Sequence, residues 1–341
     1  MSGKCIVFMP WANMVESVTF GNVSIRPWSD VRDRVPPMVK AELDKLFSRF
    51  CNMDGSTVSK LAVCELNGQT LLPKIDQGGI EEIRDAVNAL AFIIIASGTI
   101  KAVAANNKSS GPSSSDRFQI LPWDIPKNGF AHFKIGSIQH QVHIERLQVV
   151  KPLYAVVDSD SPIKNYVTDF QKLFELAANG REDAKRIIRS LDWFKLSQTN
   201  SPDVTFRSKL TMLVTAFEIL LKIPKGHKSK AFATTINSYR SASGTDIEIQ
   251  KSIDNQDQTI SKKAAWAYDL YQVRNRIAHG DYVAPNDIWF HSSKSTFLNF
   301  DIVGCILFNE CVSRALADLG IKNSYKQQPW DSTYRMLEWL P

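Results

Sequence analysis

The stretch ISKKAAWAYDLYQVRNRIAHG, residues 260–280, decides how the second half of the chain is read. Ala265, Tyr268, Leu270, Tyr271, Val273 and Ile277 recur at the spacing of a helical face. Gly280 then follows His279, as glycine follows the end of many helices. An α-helix is therefore expected to end near His279, with Arg274, Asn275 and Arg276 in its closing turns. Cationic side chains there interact favourably with the helix dipole, a structural role that requires no further function.

The helical period extends outward on both sides. SPIKNYVTDFQKLFELAANG (161–180), REDAKRIIRSLDWFKLSQT (181–199) and SPDVTFRSKLTMLVTAFEILLK (201–222) precede it, followed by the shorter HKSKAFATTINSYRSA (227–242). Ser201-Pro202-Asp203 reads as a helix start, and Pro224 as a stop. STFLNFDIVGCILFNECVSRALADLG (295–320) is the last long segment. Such a series predicts an all-α bundle over residues 156–325, with 326–341 left as a C-terminal tail.

Residues 1–155 read differently. SVTFGNVSIRPW (17–28) is two β-type runs around Gly21-Asn22, and KLAVCELNGQTLL (60–72) repeats the pattern around Asn67-Gly68. GIEEIRDAVNALAFIIIASG (79–98) opens acidic and closes on Ser-Gly, as a helix does, and its second half is apolar all round. FAHFKIGSIQHQVHIERLQVV (130–150) alternates like two or three strands, and NNKSSGPSSSDR (106–117) is a polar insertion. The expected fold class is α+β in two domains: a mixed α/β N-terminal domain with a sensor or regulatory role, then the helical bundle. A length of 341 residues suits two cores better than one.

Composition narrows the class. A hydrophobic share of 44% with 22% charged residues describes a globular chain. The net charge of +6 permits an anionic partner without demanding one. Five cysteines, with no Cys-x-x-Cys, argue against a disulfide framework or a zinc site. The start MSGKCIVFMPW does not read as a signal peptide. The run ALAFIIIA (89–96) falls far short of the ~18 residues that a membrane span needs. A cytoplasmic protein without membrane contact is expected.

The AFEILLK helix followed by LYQVRNRIAHG resembles the HEPN superfamily, most closely its branch in ApeA-type anti-phage proteins. The family's mark is Arg, a polar residue, three to five further residues, then His. Arg274, Asn275 and His279 fill those places, and the resemblance covers roughly residues 160–320. It implies a metal-independent endoribonuclease without cofactor, acting in microbial defence, with Arg274, Asn275 and His279 catalytic. RNA carries its own nucleophile, the 2′-OH, so cleavage needs a proton-transfer group near neutral pH, which histidine supplies. It also needs positive charge against the phosphorane oxygens, which the planar fork of an arginine matches. Asn275 stands at i,i+4 to His279 and could orient the imidazole. Arg274 and His279 lie roughly 140° apart on an ideal helix. The helix must therefore end between them, or a second chain must complete the site. The resemblance implies a homodimer with a composite active site across its twofold axis.

Arg276 and the loop lysines Lys225, Lys228 and Lys230 of KIPKGHKSK (222–230) are candidate RNA contacts, although a solvated connection is the plainer reading of that loop. His140 and His143 sit three apart in a strand and so face opposite ways, a poor arrangement for chelating one ion. Tryptophans beside prolines, in RPW (26–28), LPWDIP (121–126) and the C-terminal QPWDSTYRMLEWLP, could stack bases but more often pin loops to a core. Glu218 lies in an apolar helix, so burial would demand a partner, for which an arginine is natural. Two other functions remain in play: a non-catalytic module binding RNA or protein, and a ribonuclease toxin held by an antitoxin protein. In the defence reading the trigger would be phage-derived.

Overall fold

The structure, a computed structural model, describes residues 4–73, 76–104, 114–135, 138–152, 164–239, 245–284, 287, 290–291, 297–298, 300–321 and 330–341. The protein is mixed α+β and divides into two compact units, Met1–Ile94 with Ser113–Asn179, and Ile95–Pro112 with Gly180–Pro341. The expected domain boundaries at 155/156 and 325/326 fall outside the described residues.

The first unit contains β1 (Lys4–Met9), β2 (Val18–Phe20), β3 (Val23–Pro27), α1 (Trp28–Val31), α2 (Pro37–Phe47), β4 (Phe50–Cys51), β5 (Ala62–Leu66) and β6 (Leu72–Pro73). It continues with the start of α3 (Gln77–Ala104), then β7 (Leu121–Lys127), β8 (Phe130–Ile135), β9 (Ile138–His143), β10 (Val149–Val150) and α4 (Lys164–Ala178). Its main sheet runs β2-β3-β5-β1-β7-β8-β9, with β6 also on β1, and every pairing in it is antiparallel. The central strand β1 is buried from Cys5 through Met9, so both of its faces are covered. Phe8 packs 5.0 Å from Phe47 of α2 and 5.2 Å from Phe50, ring centre to ring centre. Ile6, Val39, Leu43, Leu46 and Trp123 join the same cluster. The helix expected in the bundle at 161–180 belongs to this unit instead: Phe170 packs on Phe92 of α3 and Phe174 on Phe20 of β2.

The β2–β3 hairpin turns at Gly21, with φ +56°, as expected. A Cβ there would come within 3.4 Å of the Phe174 ring. The turn at Asn67-Gly68 also forms, both residues having positive φ. Its second arm does not run back along β5 as expected. Both edges of β5 are taken by β3 and β1, so the chain makes one bridge, Leu66 to Gln69, and β6 pairs with β1 instead. Helix α3 does not stop at Ser97-Gly98. Ile100 and Val103 prolong its buried face, and that burial outweighs the local stop signal. By length and composition this helix could cross a membrane, contrary to the expectation from the ALAFIIIA run, but 83% of its most apolar window is buried inside the protein. Ser114–Arg117, read as part of a polar insertion, begin a 3-10 helix in which Arg117 is buried, while residues 105–113 lie outside the described residues.

The second unit contains α5 (Glu182–Ser197), α6 (Phe206–Leu221), α7 (Lys228–Ser238), β11 (Glu248–Ile253), β12 (Gln256–Ser261), α8 (Lys262–Ala278), β13 (Phe290–His291), β14 (Phe297–Leu298), α9 (Phe300–Asp318) and α10 (Trp330–Met336). A string of aromatic rings threads its core. Phe194 stacks on Phe308 at 4.7 Å, Phe308 meets Phe217 at 5.2 Å, Phe217 meets Phe232 at 5.0 Å, and Phe232 meets Tyr271 at 6.0 Å. Helices α5, α9, α6, α7 and α8 are linked in that order. Gly304 of α9 lets Leu213 of α6 approach so closely that a Cβ would collide with its methyl group. The start of α8 is locked by buried charge: Lys263 Nζ lies 2.9 Å from Glu310, which also accepts from Arg314 at 2.9 Å.

This unit is not all-α. Residues 248–261 form a six-rung antiparallel hairpin, β11–β12, that helical periodicity overlooked. Its turn residues Asp254 and Asn255 both have positive φ, as a two-residue type I′ turn requires. Helix α6 starts at Phe206, later than Ser201-Pro202-Asp203, because Thr205 supplies the cap through its hydroxyl to the Ser208 N–H at 3.2 Å. The C-terminal segment is not a loose tail. Trp330, Tyr334 and Trp339 are buried and packed ring to ring, and the Trp339 carbonyl accepts the Ile247 N–H at 2.9 Å. Trp123, Trp330 and Trp339 are thus core residues rather than exposed stacking platforms. Replacing Trp339 with Ala is expected to destabilise this unit by about 3–5 kcal/mol, the usual cost of emptying a buried aromatic site. Urea unfolding of both proteins, followed by circular dichroism, checks it.

Candidate functional site

The closing turn of α8 carries the motif. Gly280 adopts φ +85°, and its N–H donates to the Ile277 carbonyl at 3.1 Å while the Asp281 N–H donates to the Arg276 carbonyl at 2.9 Å. Those two bonds make a Schellman motif, which ends the helix and satisfies its last carbonyls. Helix α8 therefore stops at Ala278, and His279 is its cap at φ −87°, ψ 0°, with an exposed side chain. The His279 N–H is bonded to the Asn275 carbonyl at 3.0 Å. Among the described residues no hydrogen bond joins the Asn275 amide side chain to the imidazole.

Arg274 points another way. Its guanidinium lies 4.0 Å from Glu218 of α6 and 5.9 Å from the Tyr271 ring centre, one helical turn earlier. The Tyr271 hydroxyl donates to the same carboxylate oxygen, and Lys228 of α7 reaches the other oxygen at 3.1 Å. One half-buried carboxylate thus gathers three donors from two further helices. Tyr271 and Arg274, at i,i+3, share the face that meets α6. The Arg274–Glu218 separation is at the limit of an ion pair. The buried Nε of Arg274 has no hydrogen-bond partner among the described residues, so the guanidinium retains unspent donors. Burial, and then the hydrogen bond to Glu218, push the Tyr271 phenol well above its ordinary value, so it stays neutral and keeps donating.

The other candidates are distributed around this centre. Arg276 is committed to the chain that leaves the helix, donating to the Tyr282 carbonyl at 3.0 Å and pairing with Asp287 at 3.5 Å. Lys225 is exposed in the α6–α7 connection, whereas Lys228 and Lys230, expected in that loop, lie in the first turn of α7, both half-buried. In the same connection, His227 lies 3.3 Å from Asp254 at the tip of the β11–β12 hairpin. The structure therefore brings Arg274 and Lys228 together on Glu218, and leaves His279 apart from them in solvent. His140 stacks on Phe133 and His143 meets Phe130 edge-on, both in the first unit. Among the described residues no cluster of three His, Cys, Asp or Glu side chains is placed to hold a metal.

Sequence reasoning did not single out Tyr271, Arg207 or Tyr282. Arg207 of α6 donates to the Val283 carbonyl at 3.0 Å and sits 5.3 Å from the Tyr282 ring centre, so it fastens the segment just beyond His279. Tyr282 itself is 77% exposed, an aromatic ring in solvent three residues from the imidazole. The helical spacing of Tyr271 and Arg274 was a usable signal, but nothing local marks the reach of Arg207.

Compared with protein-family models, curated proteins and solved structures, the chain matches none.

The raised Tyr271 phenol has a thermodynamic consequence. Its folded value lies above its unfolded value, near 10.0. Between the two the native state binds more protons than the unfolded state, so stability falls as pH rises above about 10. Tyr271→Phe removes this contribution. The variant should lose less stability than the parent between pH 9 and pH 11, measured by urea titration at each pH. Equal losses would mean that burial and the Glu218 hydrogen bond do not hold the phenol neutral.

Proposed function

We propose that the protein is a metal-independent endoribonuclease of the HEPN type, acting in the cytoplasm in defence against phage, with the first unit regulating the second. In this reading the helices of the second unit form a HEPN-like bundle to which the β11–β12 hairpin is added. The observation that carries it is the setting of Arg274, Asn275 and His279: a capped helix end that presents an exposed imidazole five residues beyond a guanidinium with unspent donors. His279 moves the proton of the 2′-OH or of the leaving 5′-oxygen, and Arg274 bears on the phosphorane oxygens. The attacking 2′-oxygen forms a bond to phosphorus as the bond to the 5′-oxygen breaks, so no external nucleophile is required.

The divergence of Arg274 and His279 within one chain favours a homodimer in which each groove takes groups from both copies. Lys225, Lys228, Lys230 and Arg276 supply positive charge for the RNA backbone in this arrangement. A second reading, a non-catalytic binding module, draws on a specific observation: Arg274 and Arg276 are both engaged by carboxylates of the same chain.

The two readings separate in one comparison. The parent, His279→Ala and Arg274→Ala are incubated with total RNA in EDTA, and light scattering gives the mass of each. The nuclease reading expects a dimeric parent that cleaves, and a loss of about 10²–10⁴-fold in each variant, the usual worth of a positioned acid–base group. Cleavage that persists undiminished in both variants removes these residues from catalysis. RNA binding by the parent without cleavage favours the module.

A further inference from the structure

Three segments of the first unit meet around a small polar cavity of about 150 Å³. Trp11 and Asn13 come from the segment after β1, Asn52, Ser59 and Lys60 from the connection between β4 and β5, and Lys151 from the end of β10. The framework is fixed by backbone bonds. β10 pairs in parallel with β4, the Lys151 N–H donates to the Cys51 carbonyl at 2.9 Å, and the Asn52 N–H donates to the Ser56 carbonyl at 2.7 Å. Asn13 holds a left-handed conformation, φ +50°, at the rim.

The lining is unbalanced in charge. Among the described residues it carries two lysines and no carboxylate. Asp54, the acid of the same β4–β5 connection, is turned to Ser56, accepting from its N–H at 2.9 Å and its hydroxyl at 2.6 Å. Among the described residues neither Lys60 nor Lys151 forms an ion pair. Burial, and then the neighbouring Arg117, depress the Lys151 ammonium below the ordinary lysine range. Among the described residues a cation so placed has no counter-charge, and an anion in the cavity would supply one. The volume lies below the roughly 300 Å³ at which pockets for drug-sized ligands begin. It suits one tetrahedral oxyanion with a few waters.

We propose that this cavity binds a phosphate group, held by the Lys60 and Lys151 ammoniums with the side-chain amide of Asn13 at the rim. The group could be free phosphate or the terminal phosphate of a nucleotide whose remaining parts lie outside the cavity, since both present the same oxygens. Binding here is a property of the first unit and does not depend on RNA cleavage by the second.

The test is isothermal titration of the full chain with inorganic phosphate and, separately, with ATP in EDTA, using the parent, Lys60→Gln, Lys151→Gln and the double variant. Saturable binding of at least one ligand, weakened about tenfold or more in the double variant, is expected from the loss of charge-assisted contacts. Tighter binding of ATP than of phosphate assigns the site to a nucleotide, and equal or weaker binding of ATP assigns it to the free ion. No saturable binding of either ligand by the parent, or unchanged binding in the double variant, overturns the proposal. Should circular dichroism show that Lys151→Gln unfolds the chain, Lys60→Gln alone decides, because Lys60 is exposed and its loss leaves the core intact.

Discussion

A single carboxylate in an apolar helix governs the centre of the second unit. Glu218 cannot lie half-buried between helices without donors, because a charge removed from water must be compensated by hydrogen bonds or opposite charge. Tyr271, Arg274 and Lys228 meet that requirement, and in doing so they fix how α8 is rotated against α6 and α7. The buried Lys263–Glu310–Arg314 group holds the other end of α8 against α9. With rotation set at one end and depth at the other, His279 has only one place to go when the Schellman turn closes the helix. Its exposure is a consequence of Glu218 as much as of Gly280.

The same constraint shapes the chemistry available to the motif. Arg274 is drawn toward Glu218 but not saturated by it, since a planar guanidinium offers five N–H groups and the pair is loose. An incoming phosphate would compete with a carboxylate that already has two other donors. In the proposed nuclease Glu218 would then set the threshold at which Arg274 engages an anion. Among the described residues, by contrast, no side chain pairs with the imidazole.

Much of the architecture could be read from the sequence because local and tertiary preferences agree there. The β2–β3 hairpin announced itself through Gly21, the Asn67-Gly68 turn through its residue types, and α5, α7 and α8 through their spacing. Two misreadings share a cause, which is that long-range packing overrode a local signal. Ser97-Gly98 failed to end α3 because the residues beyond it are buried, and β6 left the expected hairpin because β5 had no free edge. The β11–β12 hairpin was missed although Asp254-Asn255 and the isoleucines at 247, 249 and 253 spelled out a two-residue turn between alternating arms. The C-terminal aromatic cluster was unreadable as structure because its partners, Ile247 and Lys262, lie far upstream. At the candidate site, spacing alone showed that Arg274 and His279 could not share a face. The partner that claims Arg274 was foreseen from the awkward burial of Glu218. The contribution of Tyr271 was not, since a tyrosine at a core position reads first as apolar bulk.

The sulfur atoms are distributed in a way that makes the molecule its own clock. Cys5, Cys51 and Cys64 are sealed in the first unit, and Cys305 and Cys311 in the second. An alkylating reagent outside the protein has to wait for a core to part before it can react. The order in which these thiols are captured would then rank the opening frequency of each half of the chain, with no label or mutation introduced.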